Sequence, residues 1–88
     1  MKKISVKVQN KLGLHARPSA LLVKAATKFR SDFFIEKDGM KINGKSIMGV
    51  MMLAAEGGST IDLVADGVDE DYLLEEIQRL IDSKFDED

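Results

Sequence analysis

The stretch that decides the fold is FFIEKDGMKIN, residues 33–43. Asp38 and Gly39 stand between two runs with strand character, and an Asp-Gly pair in that position is a strong signal for a two-residue β-hairpin. Strands are therefore predicted at residues 33–37 and 40–43. Because a hairpin joins antiparallel neighbours, the middle of the chain is predicted to lie in an antiparallel sheet.

Alternation of apolar and polar side chains predicts two further strands, one before and one after this hairpin. The first lies at residues 4–8 and the second at residues 60–65. A period of two is typical of a strand with one buried face. The apolar positions are Ile4, Val6 and Val8 in the first strand, and Ile61, Leu63 and Ala65 in the second.

Three segments have the spacing of amphipathic helices. The first runs from Ala16 to about Phe29, with Pro18 in its first turn, where a missing N–H costs nothing. The second is about two turns long, at residues 47–53, and Ser46 before it is a preferred N-cap. The last begins at Asp69, and its apolar stripe comprises Leu73, Ile77, Leu80, Ile81 and Phe85.

The resulting order, β-α-β-β-α-β-α, predicts an α+β fold. We expect a two-layer open-faced sandwich in which a four-stranded, mainly antiparallel sheet carries three helices on one face. A chain of 88 residues fits one domain, residues 1–88. A domain of this size has little room for a deep cavity, which favours chemistry at the surface.

Composition excludes several classes of function. The chain has no cysteine, which excludes disulfides, zinc fingers and thiol catalysis, and its one histidine excludes a His-rich metal site. The formal charge of −2 and the lack of a basic stripe argue against nucleic acid. No signal peptide or membrane span fits. We expect a cytoplasmic protein with no metal, no cofactor and no membrane insertion.

His15 stands where the loop at residues 10–13 meets the first predicted helix. The first-turn N–H groups, including those of Ala16 and Arg17, form an anion site with the positive end of the helix dipole. Arg17 adds donors suited to phosphate or carboxylate oxygens. The dipole favours the neutral imidazole that a nucleophile requires. From the residues alone, a static anion site and a solvated histidine without function both remain open.

Two motifs resemble the signatures of a known family. NKLGLHARPSA at residues 10–20 and KSIMGVM at residues 45–51 are similar to those of HPr, the histidine-containing phosphocarrier of the bacterial phosphoenolpyruvate-dependent phosphotransferase system. The resemblance covers nearly the whole chain. It implies that His15 accepts a phosphoryl group on Nδ1 from enzyme I and passes it to an enzyme II-A acceptor. Arg17 and the N–H groups of Ala16 and Arg17 would stabilise the phosphate.

The resemblance also implies roles for the short predicted helix. Ser46 matches a serine that HPr kinase/phosphorylase modifies in many relatives, and a transcriptional regulator is a further possible partner. Two turns this apolar cannot all face inward, and methionine is common at adaptable binding surfaces. The resemblance places the partner-docking patch at Ala20, Ile47, Met48 and Met51, whereas Val50 and Leu53 are the better core candidates. Glu56, Asp62, Asp66 and residues 86–88 are expected to be solvated.

Several functions remain open beside a carrier for sugar uptake. Residues 11–13 and 85–88 resemble the nitrogen-branch relatives, whereas residues 45–52 resemble the sugar-branch and kinase-regulated forms. Another alternative is a regulatory binding module that acts on transcription factors or enzymes through Ser46 alone, although His15 and Arg17 argue against an exclusively regulatory role. A domain that binds a metabolite or RNA would need an aromatic or basic sheet face. We expect a monomer that serves as a phosphoryl-transfer intermediate rather than a stand-alone catalyst.

Overall fold

A computed structural model describes residues 1–86 of the chain. Its elements are, in order, β1 (Lys2–Lys7), α1 (Ala16–Ala26), β2 (Asp32–Lys37), β3 (Met40–Asn43), α2 (Ile47–Met52), β4 (Thr60–Asp66) and α3 (Glu70–Asp82). A short 3-10 turn at Lys84–Asp86 follows α3. Of the acidic end that was expected to be solvated, Asp86 is exposed, and Glu87 and Asp88 lie outside the described residues.

The four strands form one sheet in the order β1-β4-β2-β3. Each neighbouring pair is antiparallel, and the registers align Ile4 with Leu63, Leu63 with Ile35, and Ile35 with Ile42. Because side chains alternate across a strand, this register places the apolar positions of all four strands on one face. The predicted α+β open-faced sandwich and its β-α-β-β-α-β-α order are confirmed.

The core lies between this face and the helices. Leu22 of α1, Val50 of α2, and Leu73 and Ile77 of α3 are fully buried. They pack in one cluster with the inward-facing strand residues Val6, Phe33, Ile35, Ile61, Leu63 and Ala65. Burial of each large apolar side chain stabilises the fold by about 1.5–3 kcal/mol. The three helices are thereby fixed on the sheet, and α1 and α2 pack against each other.

The other face of the sheet is covered by charged side chains rather than by a helix. The ammonium group of Lys41 lies 4.7 Å from the centroid of the Phe34 ring, and Lys3 Nζ lies 3.3 Å from Glu36 Oε1. Asp62, expected to be solvated, is only half-exposed and accepts a hydrogen bond from Ser5 Oγ at 2.5 Å. This mixture of charges differs from the aromatic or basic platform that an RNA-binding sheet requires.

Two predicted details of the helices differ in the structure. α1 ends at Ala26, three residues before the predicted end at Phe29, because Lys28 and Phe29 donate to the carbonyls three residues earlier, Ala25 and Ala26, as in a 3-10 turn. The backbone N–H groups of Arg30 and Ser31 then turn away to the carboxylate of Asp69. Phe85 was predicted to lie on the stripe of the last helix, but it is buried beyond the end of α3.

The predicted turns and cap are present. Asp38 and Gly39 have φ values of 50° and 82°, as a type I′ hairpin turn requires. Ser46 Oγ accepts a hydrogen bond from Gly49 N at 3.1 Å and caps α2. Local sequence signals therefore determine both connections at the ends of β3.

Candidate functional site

His15 occupies the N-cap position of α1, as the sequence predicted. Its backbone is extended, with φ −76° and ψ −171°, and its carbonyl accepts a hydrogen bond from Ser19 N at 3.0 Å. The side chain makes no capping bond to the helix and is half-buried. The histidine ring therefore lies at the entrance of α1 without serving as the cap of that helix.

The loop before His15 is held by a buried asparagine that the sequence analysis missed. Asn10 is fully buried, and its Nδ2 donates to the carbonyl oxygen of Gly13 at 2.7 Å. Leu14 N donates to Ala55 O at 2.9 Å, which fastens the loop to the segment that follows α2. An asparagine side chain that hydrogen-bonds the backbone a few residues later is common in turns. This role could therefore have been predicted from the sequence.

Gly13 makes this close approach possible. Its φ is +69°, and a Cβ atom at this position would lie 2.2 Å from Ala55 O. A side chain would therefore separate the loop at residues 10–14 from the segment at residues 54–58. The position of Leu14, and with it that of His15, depends on this contact.

Ser19 holds the same backbone from the helix side. Its side chain is fully buried, and its Oγ donates to Leu14 O at 3.0 Å. Together with the bond from Leu14 N to Ala55 O, it fixes the residue that precedes His15 at both backbone groups. A site residue held by buried hydrogen bonds keeps its geometry when a partner approaches. Sequence reasoning missed Ser19 because a serine in a first helical turn is common.

The predicted anion donors are in the expected element. Ala16 and Arg17 are the first two residues of α1, and both are exposed. Amides at these positions have no carbonyl partner within their own helix and point toward its N-terminus. Pro18, the third residue, is buried and supplies no N–H. The structure thus places two backbone donors next to His15 in the chain.

Arg17 contacts the end of the chain. Its Nη1 donates to the carbonyl oxygen of Phe85 at 3.0 Å. The residues of this turn, Lys84, Phe85 and Asp86, have left-handed φ values of 56°, 53° and 58°. The fully buried Phe85 side chain anchors the turn. Local sequence patterns could not predict this contact, because the two residues are 68 positions apart.

A shallow cavity of about 220 Å³ lies beside His15. Its walls are mostly apolar and comprise Leu12, Leu14, Met51, Ala54, Ala55 and the one acidic residue Glu56. The structure therefore brings Met51, predicted from the second motif, together with His15 from the first. Leu12 and Glu56 are also exposed, so the mouth of the cavity is open to a partner.

The docking patch, defined as Ala20, Ile47, Met48 and Met51, is exposed on α1 and α2. Val50 and Leu53, predicted as core residues, are buried. The exposed patch residues and the buried residues of this segment alternate with the helical period, because only one narrow face of α2 packs against the sheet. Met51 reaches the His15 cavity, whereas the other three residues do not line it.

Ser46 lies at the other end of α2. It precedes Met51 by five residues, which is about 7.5 Å along a helix axis. Its neighbour Lys45 reaches the turn that follows α1 and donates from Nζ to Phe29 O at 2.8 Å. The two predicted phosphorylation positions therefore flank the same short helix, with His15 beside its end and Ser46 at its beginning.

The charges of the two helical sides are opposite. Residues 11–30 carry five basic and no acidic side chains, namely Lys11, Arg17, Lys24, Lys28 and Arg30. α3 carries five acidic side chains, Glu70, Asp71, Glu75, Glu76 and Asp82, with Arg79 as its one basic residue. A net charge of −2 thus conceals a basic side that contains His15. Such a surface attracts an acidic partner.

Comparison with known proteins identifies the family to which the chain belongs. Residues 2–83 match a family model described as PTS HPr component phosphorylation site. The phosphocarrier protein HPr of Treponema pallidum is 48% identical over 84 residues, which is 96% of each chain. The HPr-like protein Crh of Bacillus subtilis is 53% identical over 72 residues, 82% of this chain and 85% of that one. The chain belongs to the HPr family of the phosphotransferase system.

Solved structures agree with this assignment. HPr-C-His from Thermoanaerobacter tengcongensis matches with a TM-score of 0.96 and 46% identity, covering 100% of this chain and 99% of that chain. An HPr dimer from the same organism matches with a TM-score of 0.78 and 47% identity over 97% of this chain and 98% of that chain. Crh of Bacillus subtilis matches with a TM-score of 0.77 and 46% identity over 96% of this chain and 97% of that chain. It is also described as a dimer.

These dimers contradict the expectation of a monomer. In this chain, the outer strands β1 and β3 each pair on one side only. Such edges offer backbone groups to a second chain. Within residues 1–86, no helix is long and apolar enough to cross a membrane.

Proposed function

We propose that residues 1–88 form a single phosphocarrier domain that accepts a phosphoryl group on His15 from phosphorylated enzyme I. The protein then passes this group to enzyme II-A type acceptors for sugar uptake and works in the cytoplasm as a transfer intermediate. The observation that supports this most directly is the position of His15, half-buried at the start of α1 and beside an open apolar cavity. Membership of the HPr family supports the class of donor and acceptor.

The residues around His15 suit a transfer in which the protein mainly positions charge. The imidazole Nδ1 forms a bond to phosphorus as the bond between phosphorus and the donor breaks. Negative charge on the three equatorial oxygens is then stabilised by nearby donors. In this proposal, the first-turn amides of Ala16 and Arg17 serve as such donors. The reverse sequence of bond changes delivers the group to the acceptor.

Arg17 has to exchange partners to join this transfer. In the structure its guanidinium donates to the Phe85 carbonyl. A phosphate dianion adds charge attraction and can accept two parallel hydrogen bonds from a guanidinium, whereas the Phe85 carbonyl oxygen is a neutral acceptor. The phosphoryl group on His15 therefore outcompetes the Phe85 carbonyl for this side chain.

The direct test is the formation of an acid-labile adduct with phosphoenolpyruvate and enzyme I, followed by intact mass. His15 is the only histidine in the chain, so His15→Ala has to abolish the adduct completely. Arg17→Ala slows formation, whereas Lys41→Ala, which removes an exposed basic side chain on the outer face of the sheet, leaves the rate unchanged. Lack of an adduct on the native chain, or its survival in His15→Ala, contradicts the proposal.

The branch that the protein serves is tested by partner exchange. Parallel incubations with enzyme I and II-A acceptors of the sugar branch and of the nitrogen branch show which pair transfers faster. We propose the sugar branch, and preferential transfer by the nitrogen-branch pair contradicts that choice. The identity of 53% with Crh supports one alternative, a regulatory module that acts on transcription factors or enzymes through Ser46. If the protein binds such targets but forms no adduct at His15, it is a regulatory module rather than a phosphocarrier.

We further propose that Ser46 is phosphorylated by an ATP-dependent HPr kinase/phosphorylase. A phosphate here can accept the Gly49 N–H that the hydroxyl now accepts, so α2 stays folded. It also adds about two negative charges at the start of the helix that carries Ile47 and Met48. This charge repels an acidic partner and thereby slows phosphoryl entry at His15.

The Ser46 proposal is tested with kinase and ATP on the native chain and on Ser46→Ala, which has to remain unmodified. Ser46→Asp should slow phosphoryl transfer from enzyme I several-fold. Thr60→Asp adds the same charge to an exposed residue of β4 on the outer sheet face and serves as the control. Equal rates for Ser46→Asp and Thr60→Asp contradict the regulatory role.

A further inference from the structure

The sulfur atoms of this protein are concentrated on α2. The chain has five methionines and no cysteine, so its thioethers are the only sulfur groups available to an oxidant. Three of them, Met48, Met51 and Met52, belong to the six residues of α2. Their exposed fractions are 75%, 43% and 66%. Val50 is the buried residue of this helix, so the oxidisable side chains all lie on its open side.

One of these side chains lies beside His15, and the other two are exposed on the same short helix. Met51 lines the cavity together with His15, Leu12 and Ala54. Met48 belongs to the docking patch, and Met52 follows Met51 at the end of the same helix. A chemical change at these methionines therefore alters the surface beside the phosphoryl acceptor, while the buried core stays as it is.

We propose that Met48, Met51 and Met52 form a site of reversible oxidation by peroxide that weakens docking of the phosphoryl donor. This inference rests on the proposed function, since enzyme I has to dock on this surface for the change to matter. The ligand class is hydrogen peroxide or a small organic peroxide, and the modified group is the thioether sulfur.

The reaction balances without a cofactor. The sulfur lone pair attacks one peroxide oxygen, and an S–O bond forms as the O–O bond breaks. After a proton transfer, water leaves from hydrogen peroxide and an alcohol leaves from an organic hydroperoxide. Sulfur loses two electrons and the peroxide is reduced. Methionine sulfoxide reductase reverses the step, with two thiols giving a disulfide and the sulfoxide oxygen leaving as water.

The product has the opposite character to the side chain it replaces. A thioether is apolar and adaptable, whereas a sulfoxide is polar and requires a hydrogen-bond donor when it is buried. Covering such an oxygen without a partner weakens the complex by about tenfold. The fold itself is retained, because none of the three methionines belongs to the buried core.

The experiment compares the native chain before and after limited treatment with hydrogen peroxide. Peptide mass mapping locates the sulfoxides, and circular dichroism checks the fold. Titration with unphosphorylated enzyme I measures affinity, and phosphoryl transfer from phosphorylated enzyme I gives the half-saturating concentration and the rate at saturation. We expect affinity to fall and the half-saturating concentration to rise about tenfold, with little change at saturation. Methionine sulfoxide reductase should restore both values.

Two variants assign the effect to α2. The triple variant Met48→Leu/Met51→Leu/Met52→Leu lacks the three sulfur atoms. Its affinity for enzyme I should be the same before and after treatment with peroxide. Met40→Leu removes a methionine of 45% exposure on the β2–β3 hairpin, comparable with the 43% of Met51. This control should lose affinity after peroxide as the native chain does.

The outcomes separate the two proposals. Sulfoxides on α2 with unchanged affinity and transfer overturn the oxidation proposal alone, as does an equal loss in the triple leucine variant. An untreated native chain that neither binds enzyme I nor accepts phosphate overturns the proposed function and, with it, the docking consequence of oxidation.

Discussion

Gly13 is the residue on which the geometry before His15 depends most. Its φ of +69° is unfavourable for other residues, and an added Cβ would lie 2.2 Å from the carbonyl oxygen of Ala55. Gly13→Ala should therefore lower the free energy of unfolding by more than the roughly 1 kcal/mol that a left-handed alanine costs by itself. Urea denaturation of the native chain and the variant measures this difference.

Gly39 supplies the matched control. Its φ is +82°, and no heavy atom lies within 4 Å of the position of an added Cβ. Gly39→Ala therefore carries the cost of the left-handed backbone without the collision. If Gly13→Ala and Gly39→Ala are equally stable, the close approach to Ala55 does not hold the loop.

Asp69 connects the end of α1 to the start of α3. Its carboxylate accepts hydrogen bonds from Ser31 Oγ and from the backbone N–H groups of Arg30 and Ser31. These bonds, that of the Ser31 hydroxyl above all, lower the pKa of Asp69 from 3.8 to about 2. Because the pKa is lowered on folding, the stabilisation is complete above the unfolded value and is lost as the pH falls toward 2.

The lowered pKa of Asp69 determines how its contribution to stability depends on pH. Asp69→Asn should be less stable than the native chain at pH 6, and the difference in urea midpoint should shrink as the pH falls from about 5 to about 2. Asp32→Asn, which changes an exposed carboxylate next to Ser31 in the chain, serves as the control. A constant difference between Asp69→Asn and the native chain across this range contradicts the assignment.

At the scale of elements, the turn after α3 contains the clearest backbone strain. Lys84 has a φ of 56° without being glycine, and a left-handed backbone costs such a residue roughly 1–2 kcal/mol. Lys84→Gly removes most of this cost, so we expect stability to rise by about 0.5–1 kcal/mol. Thermal unfolding of the variant should show a higher midpoint.

Lys24→Gly is the opposite control, since Lys24 lies in the last turn of α1. Glycine within a helix should lower stability by up to about 1 kcal/mol. The two substitutions are chemically identical and differ only in the backbone conformation at their sites. A lower midpoint for Lys84→Gly would show that the turn is not strained.

The elements also show which features can be predicted from the sequence. The Asp38–Gly39 turn, the Ser46 cap and the start of α1 at Ala16 are encoded by adjacent residues, and each was predicted. The early end of α1 depends on Asp69, and the orientation of Arg17 depends on Phe85. Both contacts join residues that are distant in sequence. Patterns among neighbouring residues carry no information about such contacts.

At the scale of the molecule, the segment at residues 11–30, which contains α1, is basic and α3 is acidic. If enzyme I presents an acidic surface, its association should be accelerated by the basic residues and slowed by added salt. Lys24→Glu should therefore lower the association rate several-fold at low ionic strength and flatten its dependence on salt. Stopped-flow mixing with enzyme I over a range of NaCl concentrations measures both quantities.

Lys41→Glu provides the comparison, because Lys41 is exposed on the outer face of the sheet, over Phe34. It changes the net charge by the same amount at a site away from α1. An equal loss of rate in the two variants would mean that net charge, rather than its distribution, governs the encounter.

The contact between the loop at residues 10–14 and the segment at residues 54–58 links folding to the geometry around His15. Leu14 bonds to Ala55, and Val8 bonds to Gly58 and Ser59, next to the pairing of β1 with β4. A nascent chain that lacks residues 54–66 cannot hold His15 at the start of α1 in this way. The site around His15 is thus completed only in molecules that have finished folding. If His15 is the phosphoryl acceptor that we propose, chains that have not finished folding are poor substrates for the phosphoryl donor.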